Sequence, residues 1–183
     1  VLGAAYVLQA ELLGPTCTQL AVDLPCGRVQ VDFQYRYRSV DSVWMTHLPP
    51  SYGDSLDRGT AAAALGLTAA DVADELPVQV VSTGMPFIMI PLCSREALSR
   101  ARVDPERYAA LAALAGVRSL YAFSRETDDP VNEFCVRMFA PDYGIPEDAA
   151  TGAGAGCLAA YSIDHIMPDC ERLEFSIEQG QEM

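Results

Sequence analysis

From Val29 to Tyr37 apolar and polar residues alternate, so that Val29, Val31, Phe33, Tyr35 and Tyr37 share one face. A period of two marks a strand with one buried side. Pro25-Cys26-Gly27-Arg28 joins it to the run Gln19 to Leu24 as a hairpin. Ser42 to His47 continues as a strand until Leu48-Pro49-Pro50, and Ser51-Tyr52-Gly53-Asp54 reads as loop. The strands predicted further on are Val78 to Ser82, Phe87 to Leu92, Val117 to Phe123, Val131 to Ala140 and Arg172 to Glu178. A tight turn at Thr83-Gly84-Met85-Pro86 separates the first two of these, and an acidic loop, Glu126 to Pro130, precedes the fourth.

Two stretches are apolar on almost every face, Val1 to Leu13 and Ala150 to Ile163, and such helices must be surrounded by protein. Gly14-Pro15 ends the first. Shorter Ala-rich helices are predicted over Thr60 to Leu65 and Thr68 to Ala73, the latter with Asp71 in a capping box. Asp104-Pro105-Glu106 starts another, with Asp as cap and Pro in the first helical position, and Gly116 closes it.

A buried helix flanked by strands therefore occurs twice, with the short match Gly3-Ala4-Ala5-Tyr6 against Leu158-Ala159-Ala160-Tyr161. The predicted fold class is α+β: two similar lobes, each a curved sheet or barrel around one central apolar helix. The boundary is expected within Thr68 to Val81, so that residues 1–75 form the end of one lobe and 76–183 most of the other. Because the chain opens inside a helix pattern and stops soon after a strand pattern, both lobes are expected to be truncated.

Charge narrows the partners. With 12 Lys+Arg against 25 Asp+Glu the formal net charge is −13, which disfavours nucleic acid and anionic membrane surfaces. No apolar run is long enough for a bilayer span. The six cysteines form no C-x-x-C pair, which fits a reducing cytoplasm. The partners expected are a small carboxylate and, for assembly, a second copy of the chain.

Candidate chemistry concentrates in Gly144-Ile145-Pro146-Glu147-Asp148-Ala149-Ala150-Thr151-Gly152-Ala153-Gly154-Ala155-Gly156. Asp148 precedes a buried helix whose first turn is Thr and Gly, so backbone N–H groups converge there as an anion cradle without Lys or Arg. Asp148 either caps this helix or handles a proton for a carboxylate bound at Thr151, Gly152 and Ala153. Gly154-x-Gly156-x-x-Ala159 fits a degenerate dinucleotide fingerprint, but no strand runs directly into the glycines. A P-loop is excluded because no Lys-Ser or Lys-Thr follows. His47 and His165 read as packed, solvated or capping residues, and no ligand cluster points to a metal.

Arg137-Met138-Phe139-Ala140-Pro141, followed by Gly144-Ile145-Pro146-Glu147-Asp148-Ala149-Ala150-Thr151-Gly152, resembles the signature of the phenazine-biosynthesis-like isomerases (PhzF type) in the diaminopimelate epimerase and proline racemase superfamily. Leu2-Gly3-Ala4-Ala5-Tyr6-Val7-Leu8 is similar to the helix after that family's Gly-His motif, and Ser82-Thr83-Gly84-Met85-Pro86-Phe87 to its T-G-x-P turn.

The resemblance implies a cofactor-independent, metal-free isomerase that shifts a proton on a small carboxylate-bearing metabolite, with Asp148 assisting a glutamate and a histidine that would both precede Val1. Gly84 joins Thr151, Gly152 and Ala153 as expected substrate-binding residues. Ala149 and Ala153 stand where the family has Pro and Ser, which removes one hydroxyl donor. Cys157 lies too late to match the cysteines of two-base epimerases and reads as core. The competing reading is a non-catalytic binding protein that kept the fold.

Overall fold

The computed structural model describes residues 1–37, 39–170 and 172–183. They divide into two compact units, Val1–Pro49 and Pro50–Met183.

In the first unit, strands β1 (Gln19–Leu24), β2 (Gly27–Arg36) and β3 (Ser39–Thr46) form an antiparallel sheet in that order. Alternation along β2 buries Val29, Val31 and Phe33, and helix α1 (Leu2–Leu8) packs on this side through Ala5. The helix widens into a π-helical turn, Gln9–Leu13, in which the Gly14 N–H donates to the Gln9 carbonyl at 2.8 Å. The pattern had predicted a helix enclosed on every face. Instead the sheet covers one side, and Leu2, Tyr6, Val7, Leu8, Leu12 and Leu13 remain exposed.

The second unit is built on a sheet ordered β10-β8-β7-β6-β5-β4, with β9 also on β8. Its strands are β4 (Ser51–Leu56), β5 (Val78–Ser82), β6 (Pro86–Pro91), β7 (Leu120–Ser124), β8 (Phe134–Ala140), β9 (Ile145–Asp148) and β10 (Ile177–Gln179). Residues 50–75, grouped on the sequence pattern with the first lobe, thus supply an edge strand bonded to β5 and helix α2 (Arg58–Ala64). Ser51–Asp54, predicted as loop, lies in β4: β5 offers ladder partners that override a weak local strand preference.

Alternation on β8 divides the unit into two cores. Phe134, Val136, Met138 and Ala140 face helix α5 (Gly152–His165) along with Phe123, Tyr121 and Phe87. Cys135 and Phe139 face the opposite side, with residues of α2, α3 (Arg95–Arg100) and α4 (Pro105–Ala115). The α4 signals act as read: Asp104 accepts from the N–H groups of Glu106 and Arg107 at 3.1 Å each, and Gly116 ends the helix at φ 67°. Thr68 to Ala73 shortens to one 3-10 turn, Ala69–Asp71, although the capping box forms. Of the predicted strand Arg172 to Glu178, only its end is strand, within Ile177–Gln179. Among the described residues, no helix is long and apolar enough to cross a membrane.

Candidate functional site

Two short strands share one edge of β8. β10 runs parallel to it, pairing Gln179 with Val136, and β9 runs antiparallel, pairing Asp148 with Met138. Val136 and Met138 are two residues apart and both face α5, so their partners do too. The segment 145–148 becomes strand because β8 has a free edge there; Pro141–Tyr143 forms a 3-10 turn and Gly144, at φ 73°, reverses the chain.

Adjacent strand residues point to opposite faces, which separates Glu147 from Asp148. Glu147 meets Arg137 on the far side: Nε donates to Oε1 at 2.7 Å and Nη2 to Oε2 at 2.6 Å. Arg137 is 2% exposed, and its Nη1 donates to the carbonyls of Leu98 at 3.0 Å and Ala101 at 2.8 Å. Its guanidinium lies 4.9 Å from the Phe139 ring centroid. This fork-to-fork pair anchors the β8–β9 hairpin to the end of α3. A cavity of about 580 Å³ opens beside it, bounded among others by Tyr108, Asp142 and Glu182, and Asp148 does not line it.

Asp148 is half-buried on the α5 side. Its Oδ2 accepts from the Thr151 hydroxyl at 2.6 Å, and its carbonyl accepts from Gln179 Nε2 at 2.8 Å. The cap of α5 is Thr151, and no side chain caps the first turn. Asp148 therefore does not serve as the N-cap, the first of the two roles its position allowed. The expected cradle is also altered, since the Thr151 N–H donates to Gln179 Oε1 at 3.0 Å. First-turn amides at Gly152, Ala153 and Gly154 are left without intrahelical partners.

Gly84 sits in the β5–β6 turn with φ 126°, its N–H donating to Ser82 Oγ at 3.2 Å. Cys157 of α5 draws this turn to the helix: its thiol donates to the Met85 carbonyl and lies 3.6 Å from the Thr83 hydroxyl. Burial pushes the Cys157 thiol up, so it stays protonated and inert. Of the glycines of α5, Gly154 has a packing duty, whereas a Cβ on Gly152 would meet nothing within 4 Å. A Cβ on Gly154 would overlap the buried Tyr121 ring.

His165 lies 2.8 Å from Gln79 Oε1 through Nε2 and against Tyr161, with ring centroids 4.6 Å apart. His47 is in the other unit, where burial lowers its imidazole. Among the described residues no three His, Cys, Asp or Glu side chains are grouped to hold a metal. Gln179 and the Arg137–Glu147 pair were not singled out from the sequence. Arg137 is the one charged residue of β8, a strand buried on both faces, a signal that could have marked it; Gln179 has no local signal.

A mixed sheet with the buried helix α5 on one face and helices α2, α3 and α4 on the other is an α+β fold, and its structural neighbours are epimerase-like. The chain matches the solved structure of the predicted epimerase PA4716 from Pseudomonas aeruginosa with TM-score 0.77 and 28% identity, over 98% of this chain and 61% of that one. The Bacillus anthracis phenazine biosynthesis protein of the PhzF family shares the fold, with TM-score 0.84 and 24% identity over 99% of this chain and 62% of that one. The sequence pattern of the phenazine biosynthesis-like proteins (PhzC-PhzF) matches residues 1–183, and the chain belongs to that family.

Among curated relatives it is 32% identical over 185 residues to the uncharacterized isomerase mll1393 of Mesorhizobium japonicum, covering 99% of this chain and 57% of that protein. It is 30% identical over 170 residues to the uncharacterized isomerase YddE of Escherichia coli K12, covering 90% and 56%. The chain thus spans a little over half the length of these relatives.

Proposed function

We propose that the full-length protein is a cofactor-independent isomerase that moves a proton between positions on a small carboxylate-bearing metabolite, as a cytoplasmic homodimer, with Asp148 as one of its proton-handling residues. The observation that carries this reading is the state of Asp148. It sits at the start of α5 but does not cap it, and the only hydrogen bond to its carboxylate among the described residues comes from one hydroxyl. A side chain needed only for helix stability would bond the first-turn amides.

Two of those amides, at Gly152 and Ala153, offer the substrate carboxylate donors at the positive end of the helix dipole. The β5–β6 turn that carries Gly84 packs on the same helix further along, at Cys157, which supports Gly84 as a second wall of the proposed site. In the reaction a base removes a proton from carbon, the substrate carboxylate side carries the resulting charge, and the proton returns at another atom, so no electron acceptor is required. The family resemblance supplies a glutamate as the main base, from sequence outside residues 1–183, with Asp148 orienting the amine or hydroxyl of the substrate or relaying the proton. The isomerase names of the relatives support the reaction class.

The test is exchange of carbon-bound hydrogen with heavy water, followed by NMR on a panel of small amino, hydroxy and unsaturated carboxylates with the full-length protein. Asp148→Asn should lose exchange by roughly 100-fold or more, the range of a positioned acid/base, while its unfolding midpoint stays put because no cap bond is lost. Wild-type exchange rates in that variant would refute the role.

A further inference from the structure

Gln179 bonds three separate groups of the turn that carries Asp148. Its Oε1 accepts from the Thr151 N–H at 3.0 Å, while its Nε2 donates to the Asp148 carbonyl at 2.8 Å and to Thr151 Oγ1 at 2.9 Å. Chemistry settles which end is which, since a backbone N–H can only donate and a carbonyl can only accept.

A directional chain follows. Thr151 Oγ1 accepts from Gln179, so the one proton of the hydroxyl is left for Asp148 Oδ2, at 2.6 Å, within the range of a hydrogen bond to a charged acceptor. The fold delivers Gln179 to this point because β10 and β9 lie end to end on one edge of β8 and their facing residues alternate in step. Gly180 lets the chain pass: its φ is 86°, and a Cβ there would stand 2.8 Å from the Ala149 carbonyl oxygen.

We propose that Gln179 is a positioning residue for Asp148. By ordering the Thr151 hydroxyl as a donor, it ties up Oδ2 and leaves Oδ1 as the oxygen that meets the substrate. It also holds the Asp148–Thr151 turn in place of the missing side-chain cap on α5. This inference rests on the proton-handling role of Asp148 proposed above.

The experiment compares Gln179→Leu, Thr151→Val and the double variant in the full-length protein, using heavy-water exchange on whichever carboxylate of the panel the wild type turns over. Each single change should lower kcat roughly 10- to 100-fold with little change in KM, because a displaced reacting group costs rate more than binding. The double variant should be no worse than the poorer single, since both changes break one chain. Thr151→Ser keeps the hydroxyl and should lose far less rate than Thr151→Val. Gln179→Glu keeps the acceptor but loses both donors and should not.

In the substrate-free protein the Thr151 hydroxyl proton should give a slowly exchanging NMR signal that Gln179→Leu abolishes. If Gln179→Leu does not fold, that wild-type signal and the Thr151→Val and Thr151→Ser pair decide the question. Losses that multiply in the double variant, or no hydroxyl signal in the wild type, would overturn the inference. Loss of exchange in Asp148→Asn alongside full exchange in Gln179→Leu removes the positioning role alone. Full exchange in Asp148→Asn removes the parent reading, and the role of Gln179 with it.

Discussion

Glu147 and Asp148 are neighbours with the same functional group and opposite employment. Glu147 is spent on Arg137, on the face lined by α3 and α4, and Asp148 is held by a single hydroxyl on the face of α5. Removing one partner of a buried pair leaves the other charge without compensation. Arg137→Met should therefore cost about 3 kcal/mol or more in unfolding free energy, read by denaturant titration of the full-length protein. Adding Glu147→Met to that variant should restore part of the loss, since an apolar pair of similar volume avoids the buried charge. A loss below about 1 kcal/mol in the single variant would mean that water reaches the pair and that it does not anchor the hairpin.

Elements of three or four residues determine where the side chains of the site stand. β10 is only Ile177–Gln179, yet Gln179 faces the Asp148 turn and Glu178 faces the other way, into the loop after β7. Burial works against the Glu178 carboxylate. Donation from Asn132, from the N–H groups of Asp128 and Asp129, and from Gln181 outweighs it and pulls the group down to about 2, against an ordinary 4.5. A depressed carboxyl stabilises the fold above its unfolded value, so this contribution is complete above pH 4.5 and disappears as pH falls toward 2. Unfolding midpoints should drop across that window. Glu178→Gln should lower stability at pH 7 and flatten the acid side of the profile; an unchanged profile would show that β10 is not held through this carboxylate.

The whole molecule carries its apolar surface unevenly. In the second unit Tyr161, Leu158 and Cys157 of α5 are buried, whereas most of the apolar side chains of α1 and of the π-helical turn after it stay exposed in the first unit, with Leu12 75% and Val7 56% accessible. Contiguous apolar surface of this kind seeks cover. Residues 1–183 produced alone should self-associate, as light scattering during size-exclusion chromatography would show, despite the net charge of −13. Val7→Glu with Leu12→Glu should reduce the association. A monodisperse monomer would show that the exposed face of α1 does not drive assembly.

What the sequence determined by itself was whatever depends on neighbours a few residues away. The alternation of Val29, Val31 and Phe33 placed β2 and its buried face, Asp104-Pro105 and Gly116 bounded α4, and the Glu147-Asp148-Ala149-Ala150-Thr151-Gly152 run carried both the family and the position of Asp148 at the start of α5. Tertiary structure decided whatever depends on a partner far along the chain. Ser51–Leu56 and Ile145–Asp148 are strands only because β5 and β8 present open edges to them. Gly154 is a glycine because Tyr121 occupies the space of its side chain. The state of Asp148 was settled in the same way: Gln179, 31 residues away, reaches the turn only because β10 and β9 meet on one strand, and no period or motif in a linear sequence encodes that meeting.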